Sequence, residues 1–139
     1  MTPARRFEGR LAVVTGGVSG IGAAVVREFA AGGAEVVVAD RDAARAAALA
    51  VTVGGRARAI DVCDRAQVEA LFAGLARPAA ILVTCAGGAP RSVALDTDEA
   101  TFAASMQLNA GGFWRCAQVA ARAAITAHVP LAIVHVASS

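Results

Sequence analysis

The stretch VVTGGVSGIGAAV, residues 13–25, carries an apolar run into an alanine-rich helical one through glycines at 16, 17, 20 and 22. Gly16 permits a tight turn, Gly20 lets backbone N–H groups approach a diphosphate, and Gly22 lets the helix pack closely against the strand. An anion would then sit at the helix N-terminus, where unpaired N–H groups and the helix dipole favour negative charge. The spacing is G-x-x-x-G-x-G, and the G-K-[ST] ending of a phosphate-hydrolysing loop is missing. A glycine-rich turn alone is a weak signal. Here it follows a strand, opens a helix, and precedes an acid, Asp40, 18 residues past Gly22 at the end of the next apolar run. That context points to a dinucleotide.

Outward from this turn, strand-length apolar runs alternate with alanine-rich helical stretches, the pattern of a parallel sheet wrapped by helices. Strands are expected at 11–15, 35–40, 56–60, 79–84 and 131–137. Helices are expected at 19–31, 42–50 and 64–74, the last capped by Asp64 with Gln67 in capping-box position. A long helix is expected from the D-T-D-E at 96–99 to about Ala127. Gly111-Gly112 inside it should mark a kink or a close packing contact. The fold class is therefore α/β, a Rossmann-like doubly wound parallel sheet forming one dinucleotide-binding domain over residues 1–139. The second, fourth and fifth strands are apolar on both faces, as in sheets covered by helices on both sides. A fifth strand of this kind makes an unprotected edge, so a partner for LAIVHVA (131–137) is expected.

Composition excludes several function classes. Apolar residues make up 57% of the 139, but alanine supplies much of that, and no apolar stretch approaches the roughly 20 residues of a membrane-spanning helix. Behind Arg5-Arg6 only Leu11–Val14 follow as an apolar block, too short for a secretory signal core. The net charge of +2 is spread without basic runs or interleaved aromatics, so no nucleic-acid footprint is present. Cys63, Cys85 and Cys116 are odd in number and far apart, without metal-ligand spacing. They read as small buried apolar residues in a reducing, cytoplasmic protein, with no metal. His135, mid-strand, reads as a packed histidine rather than a catalyst.

Asp40 is placed to accept hydrogen bonds from both ribose hydroxyls of an adenosine half and to repel a 2′-phosphate, favouring NAD over NADP. Arg41 beside it keeps NADP as the alternative.

Taken together, TGGVSGIG (15–22), Asp40, Asp61-Val62, CAGG (85–88), Asn109 and IVHVASS (133–139) resemble the short-chain dehydrogenase/reductase family, in order and at family-like spacing across the whole chain. The resemblance implies that Gly16, Ser19, Gly20, Ile21, Gly22, Asp40, Arg41, Asp61, Val62, Ala86 and Gly87 surround the cofactor. It implies that Asp61 faces the adenine amino group, that the Asn109 carbonyl holds a water of a proton relay, and that Ser138 polarises the substrate oxygen, with Ser139 behind it. The family usually carries two asparagines where this chain has Thr84-Cys85; Thr84 is expected to supply part of their sheet-stabilising hydrogen bonds.

The implied chemistry is hydride transfer between a nicotinamide and a small-molecule carbonyl/alcohol substrate by a homodimer or homotetramer. In the family a Y-x-x-x-K pair beyond the serine completes the site, and this chain contains neither tyrosine nor lysine. Two readings follow. The first is the N-terminal, cofactor-binding portion of an enzyme whose sheet has seven strands, inactive in isolation. The second is a non-catalytic nucleotide-binding or sensing module.

Overall fold

A computed structural model describes residues 5–89 and 93–137. Its elements are β1 (Leu11–Thr15), α1 (Gly20–Ala31), β2 (Glu35–Asp40), α2 (Ala43–Val53), β3 (Arg56–Ala59), α3 (Arg65–Ala73), β4 (Ile81–Thr84), α4 (Glu99–Met106), α5 (Gly112–Thr126) and β5 (Ala132–His135). The five strands form one sheet in the order β3-β2-β1-β4-β5, every pairing parallel. From β1 the chain winds outward through β2 to β3, then returns to place β4 on the other side of β1. The reversal lies between β1 and β4, the position where open α/β sheets bind ligands beyond the carboxyl ends of their strands.

Side chains alternate across the sheet and fill two cores. Leu11, Val13, Val37 and Leu82 pack with Val68, Leu71, Cys116 and Ala120 of α3 and α5. Ala12, Val14, Val36, Val38 and Val83 pack with Val26, Ala46 and Leu49 of α1 and α2. The small alanines let the helices ride close to the sheet, and burial of the two apolar faces is the main stabilising term. β5 forms one edge, with Ala132, Ile133 and Val134 exposed.

Three helices are capped by aspartate. Asp42 accepts from the Arg45 N–H, Asp64 from Ala66 and Gln67, and Asp98 from Thr101, satisfying donors that a helix start leaves open. Gln67 does not complete the expected capping box. Its Oε1 accepts from the Asp61 N–H at 2.9 Å while its amide donates to Asp64 Oδ2, so it binds the loop before the helix instead of the N-cap's own amide.

The long C-terminal helix is the largest departure from expectation. A 3₁₀ turn (Ala94–Asp96) precedes it, α4 starts at Glu99, and a π-helical segment (Gln107–Gly111) lies between α4 and α5. The extra residue per turn leaves carbonyls without their usual partners. Arg115 answers one, donating to the Gln107 carbonyl at 3.3 Å and also to the Gln107 side chain. Of the two alternatives expected of the glycine pair, the close packing contact is present. The helix geometry changes at Gly111, and a Cβ on Gly112 would stand 2.7 Å from Val62 Cγ2.

Candidate functional site

The turn between β1 and α1 is held in shape by backbone contact. Gly16 adopts φ 65°, and a Cβ there would meet the Ala86 nitrogen at 2.5 Å. A Cβ on Gly22 would lie 2.1 Å from the Gly16 carbonyl oxygen. Neither position tolerates a side chain, so the turn, the start of α1 and the loop after β4 meet as bare backbone. Gly20, at φ 45°, faces open space; its glycine is required by conformation.

Ser19 is the N-cap of α1, yet its side chain makes no capping hydrogen bond. The N-termini of α2, α3 and α4 each have a carboxylate acceptor; that of α1 does not. An uncapped helix start of this kind leaves first-turn N–H groups that can receive an anion.

Asp40 closes the turn from the β2 side. Its Oδ2 accepts from the Val18 N–H at 3.3 Å and its Oδ1 from the Asp42 N–H at 3.0 Å. A carboxylate has about four lone-pair sites, so capacity for hydroxyl donors remains. Arg45, which sequence reasoning did not single out, donates to the Val18 carbonyl at 2.7 Å.

These parts border a cleft of about 520 Å³ over the carboxyl ends of β1, β2 and β4. Of the residues expected at the cofactor, Gly16, Ser19, Asp40, Arg41, Asp61, Val62, Ala86 and Gly87 all line it. Gly20, Ile21 and Gly22 do not line it. Gly22 is packed under the turn, and Ile21 is 59% exposed on α1. Arg45, Cys63, Cys85, Ala104 and Leu108 line the cleft as well. Cys85 opens the CAGG motif; no motif pointed to the other four, which arrive through helix and loop packing that a linear pattern does not encode.

Asp61 is exposed, and its Oδ1 accepts from the Cys63 N–H at 2.8 Å, turning the chain after β3. Burial and the neighbouring Asp61 carboxylate both push the Cys63 thiol above its ordinary pKa; burial does the same to Cys85 and carries Cys116 up to about 12. Only Cys116 is fully buried. The other two are partly exposed, in contrast to the expectation of three buried cysteines.

Asn109 projects from the π-helical segment onto the loop after β4. Its Oδ1 accepts from the Gly88 N–H at 3.0 Å and its Nδ2 donates to the Gly88 carbonyl at 2.8 Å. One amide therefore pins a complete peptide residue next to Gly87. A Cβ on Gly87 would approach the same Oδ1 at 2.8 Å.

Thr84 and His135, at paired positions of β4 and β5, share a hydrogen bond of 2.8 Å between Oγ1 and Nδ1, so the Thr84 hydroxyl does bond across to the neighbouring strand. The imidazole stacks on Phe113 with ring centroids 4.2 Å apart, consistent with a packed histidine. Ser138 and Ser139 lie outside the described residues. Among the described residues no group of three or more histidines, cysteines or carboxylates is arranged to hold a metal ion, and no helix is long and apolar enough to cross a membrane.

A family model described as short chain dehydrogenase matches residues 10–139. The chain belongs to the short-chain dehydrogenase family. Galactitol 2-dehydrogenase (L-tagatose-forming) of Cereibacter sphaeroides is 41% identical over 115 residues, covering 78% of this chain and 45% of that protein. D-threitol dehydrogenase of Mycolicibacterium smegmatis is 36% identical over 126 residues, covering 84% and 48%. A crystal structure of a short-chain type dehydrogenase/reductase from Mycobacterium marinum superposes with a TM-score of 0.87 at 30% identity, over 96% of this chain and 57% of that one. The chain thus spans about half the length of the short-chain dehydrogenases it matches, and the shared half is the Rossmann-like sheet.

Proposed function

We propose that the protein is an oxidoreductase that moves a hydride between a nicotinamide dinucleotide and a small-molecule alcohol or its carbonyl partner. One observation carries this reading. Alone among α1–α4, α1 starts without a carboxylate cap, and it opens at the reversal point of the sheet, beside a turn built of bare backbone. That arrangement accepts a pyrophosphate.

The residues fit a dinucleotide along the cleft. Gly16 and Ser19 would hold the pyrophosphate, Asp40 the adenosine ribose, Asp61 and Val62 the adenine, and Ala86 and Gly87 the segment beyond it. The nicotinamide supplies the hydride chemistry; the protein binds and orients. Asp40 favours NAD, since a 2′-phosphate beside its carboxylate is repelled, and Arg41 is the group that would answer such a phosphate. Asn109 fixes the loop wall through Gly88 and offers its own carbonyl to a relay water. Ser138 takes the role that the family resemblance gives it, polarising the substrate oxygen.

Two of the relatives are named as dehydrogenases of the polyols galactitol and threitol, which makes polyols the first alcohols to assay. The exposed apolar side chains Phe102, Met106 and Trp114 along α4 and α5 support self-association through this face, in a cytoplasmic homodimer or homotetramer.

The test is a rate measurement with the full-length protein. Production of reduced nicotinamide from NAD and a polyol, faster than from NADP, is expected. Absence of turnover with every alcohol and carbonyl tried, despite tight dinucleotide binding, would leave a binding module instead.

A further inference from the structure

We infer that Arg45 is a positioning residue for the dinucleotide, holding the glycine turn in its binding shape from α2. This rests on the reading of the cleft as a dinucleotide site.

Arg45 sits in the first turn of α2, its own N–H bound to the Asp42 cap at 3.0 Å. A cation there opposes the helix dipole, which favours acids at this end, and the turn contains none. A contact elsewhere has to offset that. The guanidinium supplies it by reaching across to the Val18 carbonyl at 2.7 Å, a charge-assisted bond at the short end of the usual range. Asp40 takes the N–H of the same residue from the neighbouring strand end. Val18 is therefore held at both its donor and its acceptor, by two side chains 5 positions apart on either side of the β2–α2 junction.

The consequence reaches the next residue through covalent geometry. The peptide joining Val18 to Ser19 is planar and trans, so fixing the Val18 carbonyl fixes the opposite direction of the Ser19 N–H. That N–H belongs to the uncapped start of α1. Arg45 thus sets the aim of a donor it does not touch, before any ligand arrives. Preorganised donors bind more tightly than ones that must be ordered on binding.

Arg45 also lines the cleft, as Arg41 does, so direct contact with a 2′-phosphate is the competing role, and the two predict different selectivity. In the positioning role both coenzymes depend on the same turn and lose affinity together.

The experiment measures NADH and NADPH dissociation constants, and coenzyme KM and kcat, for the full-length protein and its Arg45→Ala, Arg45→Met and Arg45→Lys variants. Loss of one charge-assisted bond should weaken NADH about tenfold in the Ala and Met variants. NADPH should weaken by the same factor, coenzyme KM should rise in step, and kcat should stay within about twofold. Lysine, able to donate to the same carbonyl, should recover most of the loss. Undiminished NADH affinity in both Ala and Met variants would overturn the inference while leaving the dinucleotide site intact. So would a loss confined to NADPH, which would make Arg45 a phosphate ligand. If the unsubstituted protein binds neither coenzyme, the functional reading fails and this inference with it.

Discussion

Thr84 Oγ1 and His135 Nδ1 are hydrogen-bonded at 2.8 Å across β4 and β5, while Thr15, the register partner of Thr84 on β1, has a buried hydroxyl without a protein partner. Three polar side chains therefore lie in one row across β1, β4 and β5 of the sheet, and among the described residues only two of them are paired to each other.

The same substitution should have opposite effects along this row. Thr84→Val leaves the half-buried His135 nitrogen unpaired, at a cost of about 1–2 kcal/mol; Thr15→Val removes a hydroxyl whose burial is uncompensated and should be neutral or stabilising by about 1 kcal/mol. Urea unfolding of both variants checks this. Destabilisation by Thr15→Val would point to a buried water bonded to that hydroxyl.

Gly112→Ala should destabilise by about 1–3 kcal/mol, because the new methyl meets Val62 at 2.7 Å in a filled core. Val62 also lines the cleft, so weaker dinucleotide binding is expected alongside. Equilibrium denaturation and a coenzyme titration read the two effects. The companion variant Val62→Ala combined with Gly112→Ala should recover part of the stability loss if the contact is responsible.

His128 ends α5 at φ 55°, with its N–H on the Ile125 carbonyl and the following Val129 N–H on the Ala124 carbonyl. This is the helix-ending geometry that glycine usually supplies, and histidine is strained there. Replacing His128 with Gly should raise stability by up to about 1 kcal/mol and leave coenzyme binding unchanged. A fall in melting temperature would contradict the strain argument.

Thiol labelling should follow burial. Each raised thiol pKa lowers the thiolate fraction at a given pH, so labelling of the native protein at pH 8 should be slower than for a free cysteine and should accelerate as pH rises. Cys116, with its pKa near 12, should label only on unfolding. Cys63 and Cys85, on the cleft wall, should be the two native-state sites, and NADH should protect both. Rapid native labelling of Cys116 would show that the α5 core opens far more readily than its packing indicates.

The fold was legible because its signals are local and repeated. Apolar runs alternating with alanine-rich segments dictated the order of strands and helices, and the glycine turn fixed where they pivot. Even the departure at Thr84-Cys85 could be read, since a hydroxyl at position 84 found a hydrogen bond. What stayed hidden depends on contacts between distant segments. The π-helical segment has no sequence signature beyond the glycine pair, and it is stabilised by Arg115 acting back across it. Gln67 satisfied a different amide from the one its spacing suggested, because Asp61 was nearer in space than in pattern. Arg45 carried no motif at all; its role follows from the packing of α2 beside the turn. The surroundings of Ile21 and Gly22 were equally hidden: one is exposed on α1 and the other is packed beneath the turn.

Isothermal titration of NADH into the full-length protein and its Gly22→Ala variant tests most directly whether the β1–α1 turn grips a dinucleotide. A methyl at position 22 must displace the Gly16 carbonyl, 2.1 Å away, and with it the backbone of the turn. Saturable heat with the unsubstituted protein, lost in a Gly22→Ala variant that still unfolds cooperatively, is the expected result. Equal binding by both proteins, or none by the unsubstituted one, would contradict it.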